Sequence, residues 1–116
     1  MAEDDNLGAD MDLEIYGFVL ETVTVMRTEL EVLRRRSPGL GDQMERALSS
    51  VPLNLSEGSY AQGKNKKARY YTALGSAREA LACVDTGVAL GYLPGVRDEV
   101  RTRMNRILGT LTRLAR

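Results

Sequence analysis

VPLNLSEG, residues 51–58, puts a proline, an asparagine and a glutamate into a chain whose apolar spacing is otherwise helical. Around it Met44, Leu48, Val51 and Leu55 step by four, three and four, the stripe of a helix buried on one side. Pro52 interrupts that stripe. It offers no N–H to the carbonyl of Leu48 and its ring crowds the same turn, so the helix is expected to bend or loosen there. Ser49, Ser50 and Ser56 can bond nearby carbonyls, and the Asn54 amide can reach another helix or a partner. A glutamate near a core is costly unless paired, which makes Arg69 and Arg78 the candidate partners of Glu57. Gly58 removes bulk where another backbone can come close. The stretch reads as a kinked, polar-locked contact that fixes how the second and third helices meet, with a ligand or catalytic site as the alternative.

Outward from this element the same periodicity continues in both directions. From about Asp12 to Arg36, Tyr16, Val19, Val23, Met26, Leu30 and Leu33 form a seam, with a second ridge of Phe18, Val25 and Val32 spaced by seven. A helix of this length is a rod of about 36 Å with apolar residues on a wide arc, so the second ridge asks for a subunit interface. Ser37-Pro38-Gly39 breaks the chain, and the next helix is expected near Gly41 or Asp42, where Asp42 and Glu45 have capping-box spacing. Gln62 to Asn65 reads as a turn, with Asn65 as N-cap of a third helix reaching about Tyr92. That helix carries a larger row (Leu74, Ala77, Leu81, Val84, Val88) and a row of small residues (Ala73, Ser76, Ala80, Cys83, Gly87), which allows close approach. Leu93-Pro94-Gly95 ends it. The fourth helix has Val96, Val100, Met104, Ile107, Leu111 and Leu114 inward, acids in its first turn and arginines toward its end. The expected fold is all-α: an antiparallel up-down-up-down four-helix bundle over residues 12–116, preceded by a flexible acidic tail over 1–11.

At 116 residues the chain is the size of one domain and needs no disulfide or metal staple. Cys83 is the single cysteine, a small apolar packer on the small row, and fits a reducing compartment. With an acidic N-terminus and no apolar run of membrane length, a cytoplasmic protein is expected. The zero net charge conceals an asymmetry: residues 1–16 hold six acids and no base, leaving the other 100 with a net +6. A basic body with an acidic tail hints at nucleic-acid contact; solvated helix faces are the plainer explanation.

In SVPLNLSEG, followed by a polar turn and ARYYTALGSAREAL, the chain resembles the four-helix-bundle family associated with intervening sequences of 23S ribosomal RNA genes. Val51, Pro52, Asn54, Leu55, Glu57 and Gly58 match its first element. Tyr70, Ala73, Gly75, Ser76 and Glu79 match the helix that follows, and Leu90, Gly91, Tyr92 and Leu93 match its end. The likeness covers roughly residues 13–114 and departs in the turn, where Ser59, Tyr60, Ala61 and Gln62 stand in place of early basic residues. It implies a four-helix bundle assembling into a homo-oligomeric ring, typically a pentamer, for which nucleic-acid binding has been proposed. Accessory proteins of diversity-generating retroelements have a similar architecture and bind a reverse transcriptase and RNA.

Catalytic chemistry finds little support. The absence of histidine removes the commonest general base and the usual ligand of carboxylate-bridged di-iron bundles. Glu57, Glu79 and Asp85 could gather as carboxylates, but no Glu-x-x-His pair accompanies them, and Gly63-Lys64 lacks the spacing of a phosphate loop. No enzyme activity, metal or cofactor is expected. The nucleic-acid case rests on Lys64, Lys66, Lys67 and Arg69 beside Tyr60, Tyr70 and Tyr71, cations next to rings that can stack unpaired bases. A second basic group, Arg103, Arg106 and Arg113, would line an outer face of the last helix. The tyrosines could equally be core or interface packing, and the arginines a solvated face. Two functions therefore stand: an oligomeric RNA- or DNA-binding accessory protein, or a protein-interaction scaffold whose partner is a reverse transcriptase or another protein.

Overall fold

The computed structural model describes the backbone of residues 2–116 and side chains from Glu14 onward. The acidic tail expected over 1–11 lies outside the residues described with side chains. Five helices follow one another: α1 (Ala2–Val25), α2 (Arg27–Arg36), α3 (Pro38–Tyr60), α4 (Gly63–Ala89) and α5 (Asp98–Leu114). No strand occurs among the described residues.

The rod expected from 12 to 36 is divided at Met26, whose dihedrals (φ −81°, ψ 0°) leave the helical basin. Helical bonding nevertheless crosses the break, from Met26 N–H to the Thr22 carbonyl at 2.9 Å and from Leu30 N–H to the Met26 carbonyl at 3.0 Å. An outside donor sits at this point: Arg97 gives a hydrogen bond to the Val25 carbonyl at 2.7 Å. A side chain inserted at the carbonyl ladder is a recognised cause of such a break.

The buried seam of α1 and α2 differs from the expected one. Ile15, Val19, Thr22, Met26, Glu29 and Leu33 are buried, while Tyr16 is exposed and Val23 and Leu30 are half-buried. Two polar residues occupy core positions because each has partners there. Thr22 Oγ1 donates to the Phe18 carbonyl at 2.8 Å. Glu29 accepts Arg97 Nε on Oε2 at 2.6 Å and an Arg97 terminal nitrogen on Oε1 at 2.7 Å.

Helix boundaries follow local chemistry more closely than capping-box spacing. α3 begins at Pro38, several residues before the expected Asp42, because proline suits the first turn and Ser37 is extended before it. Glu45, expected to complete a capping box, instead pairs with Arg34 of α2. α4 starts at Gly63 (φ +59°), not at Asn65, and ends at Ala89, not Tyr92. Its end is a Schellman turn. Tyr92 N–H bonds to the Gly87 carbonyl at 2.8 Å and Gly91 N–H to the Val88 carbonyl at 3.0 Å, with Gly91 at φ +81°.

The α3 stripe Met44, Leu48, Val51 and Leu55 is buried as expected, and α3 continues unbroken across Pro52. On α4 the small row faces inward: Ala73, Ala80, Cys83 and Gly87 are buried together with Leu74, Ala77 and Val84. α5 buries Val100, Met104, Ile107 and Leu111, while Val96 and Leu114 are half-buried. α3 and α4 run antiparallel, since Ser50 meets Ser76 and Glu57 meets Arg69. α5 runs antiparallel to α1 and α2, since Arg97, Arg103 and Arg106 meet Glu29, Thr22 and Glu14 in turn.

Candidate nucleic-acid interface

The polar residues of VPLNLSEG are resolved into one network and one surface pair. Asn54 Nδ2 donates to both the carbonyl and the Oγ of Ser50, each at 2.9 Å. Ser76 Oγ on α4 donates to the same Ser50 Oγ at 2.7 Å. The proline segment is thus tied to α4 through Asn54, Ser50 and Ser76, a lock between the two helices. Gly58 is buried against the Tyr70 ring. Glu57 does find Arg69, at 2.9 Å, but both side chains are more than half exposed, so the pair contributes at most about 1 kcal/mol. Gly75 and Glu79 are exposed, and nothing lies near Gly75 that excludes a side chain.

Beyond that lock the α3–α4 turn carries the first basic group. Lys64, Lys67 and Arg69 are exposed and Lys66 is half-buried. Lys66 Nζ stands 5.9 Å from the centre of the Tyr70 ring. Tyr70 itself, one of the rings considered for stacking, is buried in the core at 2% exposure, whereas Tyr60 is 89% and Tyr71 68% exposed. A surface groove of about 640 Å³ lies here, with Glu57 and Tyr60 of α3 facing Asn65, Arg69 and Thr72 of α4.

The second basic group is more heavily engaged. The Arg103 and Arg106 guanidiniums stand 4.8 Å and 4.2 Å from the centre of the Phe18 ring. Arg103 is only 22% exposed, lies 3.7 Å from Glu21 and 3.6 Å from Glu99, and donates to Thr22 Oγ1 at 3.3 Å. Arg106 pairs with Glu14 at 2.9 Å, and Arg113 donates to Thr110 Oγ1 at 3.3 Å. Arg106, Arg113, Thr110 and Glu14 border a hollow of about 200 Å³. Phe18, Val25 and Val32 are each half-buried within the single chain.

The first group and Arg113 lie toward one end of the molecule, whereas Arg103 and Arg106 precede Ile107 and sit level with an internal layer or on its other side. Val19, Leu48, Ala77 and Ile107 share one internal layer. From it, ten residues of α4 lead back to Lys67 and six of α5 lead on to Arg113, about 15 Å and 9 Å of helix. Antiparallel packing, with Asp85 paired to Arg101, sends both in the same direction.

Two features escaped the sequence reading. The buried Glu29 carboxylate and its Arg97 clamp could have been found from the Met26–Glu29–Leu33 spacing, which places Glu29 on the core stripe. The clamp also holds the Arg97 charge, raising its pKa chiefly through the hydrogen bonds to Glu29. The two arginines over Phe18 had no signal in the chain order. Cys83 is buried, and burial followed by the nearby Glu79 charge pushes its thiol pKa up, which disfavours the thiolate. Among the described residues no three His, Cys, Asp or Glu side chains are placed to hold a metal ion. Among the described residues no helix is long and apolar enough to cross a membrane.

The family model described as 23S rRNA-intervening sequence protein matches residues 13–113. No curated protein and no solved structure matches the chain.

Proposed function

This chain belongs to the 23S rRNA-intervening sequence protein family, and from that premise we propose a non-catalytic, oligomeric accessory protein that binds RNA or DNA through the basic end of its helices. The observation that carries the proposal is the α3–α4 turn. Two large aromatic side chains, Tyr60 and Tyr71, are exposed there, as are the cations Lys64 and Lys67, with Lys67 one helical turn before Tyr71. Arg113 lies toward the same end and adds positive charge. Such a surface recognises phosphate charge and strand shape in preference to base sequence.

In this reading α1 and α2 act as one rod, and with α3, α4 and α5 they make an antiparallel up-down-up-down four-helix bundle. Bundles join into a homo-oligomeric ring through the α1–α2 rod, with the Phe18, Val25 and Val32 ridge on one flank. Repetition of the basic end around the ring lets weak phosphate contacts act together. The buried, protonated Cys83 suits a reducing cytoplasm.

Fluorescence anisotropy of an RNA hairpin with single-stranded flanks, titrated with the protein over a salt series, tests the proposal. Binding should be micromolar or tighter and fall steeply with salt. Lys64→Gln with Lys67→Gln should reduce the salt slope by about two while leaving the assembly intact. Flat anisotropy at low salt would overturn nucleic-acid binding and leave the protein-scaffold function, with a reverse transcriptase or another protein as partner.

A further inference from the structure

The groove at the α3–α4 turn has features that phosphate binding alone does not call for. Tyr60 is 89% exposed on one wall, in a chain with only five tyrosines and one phenylalanine. Across from it stand the Asn65 amide, which offers both donors and an acceptor, and the Glu57–Arg69 pair, which offers an acceptor and donors side by side. Lys64 and Lys67 are exposed on the same turn of α4, but at about 100° per residue they lie on the side of the helix away from the groove that Asn65 and Arg69 line. A flat aromatic wall and a mixed donor and acceptor edge that includes the Arg69 cation suit one kind of occupant, an unpaired nucleobase, with the lysines outside the groove free to meet the phosphates that lead to it. A base inside a duplex has its faces covered by its neighbours and cannot use the tyrosine wall. The open volume of about 640 Å³ leaves room for a base and its sugar.

We propose that this groove holds an unpaired nucleobase of single-stranded RNA or DNA, stacked on Tyr60 and hydrogen-bonded along its edge by Asn65 and the Glu57–Arg69 pair. The inference rests on the nucleic-acid-binding reading and narrows it from backbone charge in general to single strands or loops.

The test compares a single-stranded oligonucleotide carrying 2-aminopurine with a blunt-ended duplex of the same length, which has no unpaired base. Anisotropy reads affinity and 2-aminopurine fluorescence reads stacking. Tyr60→Ala should weaken single-strand binding about tenfold to a hundredfold and abolish the fluorescence quench, while duplex affinity stays within twofold. Tyr60→Phe should keep both, because the ring is retained. Lys64→Gln with Lys67→Gln should weaken both probes together. Equal effects of Tyr60→Ala on the two probes, or none on either, would overturn the base site while leaving phosphate binding in place. Failure of the wild-type protein to bind either probe at low salt would overturn both readings.

Discussion

Gly58 and Gly75 both lie inside helices, yet only Gly58 has a steric reason to lack a side chain. A Cβ at Gly58 would stand 2.9 Å from Tyr70 Cε1 and 3.3 Å from Arg69 Cβ, whereas nothing lies within 4 Å of one at Gly75. Tyr70 is among the largest fully buried side chains and has little room to yield. Gly58→Ala should therefore lose about 1–2 kcal/mol, overpacking outweighing the gain in helix propensity. Gly75→Ala should gain about 0.5–1 kcal/mol. Urea midpoints with unchanged m-values check both signs, and a destabilised Gly75→Ala would reveal a contact that a single chain does not make. Cys83 gives a second prediction at this scale. Its pKa is raised by burial and then by the Glu79 charge, so the fold binds the thiol proton more tightly than the unfolded chain does. That contribution is full below the unfolded value of about 8.5 and lost as pH rises through the folded value. Iodoacetamide should alkylate Cys83 in native protein far more slowly than in urea-unfolded protein at pH 8, and the gap should close only at more alkaline pH.

Among the elements, the junction of α1 and α2 depends on a residue 68 positions away. Arg97 grips both carboxylate oxygens of Glu29 and also bonds the Val25 carbonyl where the helix breaks. Glu29 is only 3% exposed, so removing its partner leaves a charge without compensation in the core. Arg97→Met should cost about 3 kcal/mol, and the double variant Glu29→Met with Arg97→Met should recover most of it. A double-mutant cycle in urea measures this; two additive losses would mean that the pair is held only by chance of packing. The same junction shows where the sequence was legible. The stripe of α3 and the small row of α4 were readable because apolar residues mark them throughout. The α1 seam was misread by a rotation, because Thr22 and Glu29 hold core positions and their polar character hid the register. Helix ends went astray where Asp42, Glu45 and Asn65 invited a cap, while Pro38, Gly63 and Gly91 supplied backbone geometry that the chain used instead.

For the whole molecule, the sequence placed cations next to rings but could not say which cations were already neutralised. Glu14 and Arg106 are 92 residues apart, and only the packing of α5 against α1 brings them together at 2.9 Å. That is why Lys64, Lys67 and Arg113 stand out as exposed while Arg103 is drawn against Phe18 and its acidic neighbours. Packing also bears on assembly. At about 100° per residue, Tyr16 and Leu20 lie roughly opposite Phe18 and Val25 around α1, and Val32 of α2 continues that ridge. Tyr16 and Leu20 are exposed apolar residues on one flank, and the half-buried ridge occupies the other. A ring of more than two subunits needs two different complementary patches on each subunit, and in the proposed assembly the two flanks of the α1–α2 rod take those roles. Light scattering should then give a mass that is a multiple of 12.8 kDa for the wild-type chain. Leu20→Lys and Val32→Lys should each stop closure of the ring from one side, with helical content retained because lysine can carry its head group to solvent. Each variant keeps one sound patch, so mixing the two should give a complex with one protomer of each and nothing larger. A wild-type mass of one chain would remove the ring, and variants that assemble normally would move the interface off α1 and α2.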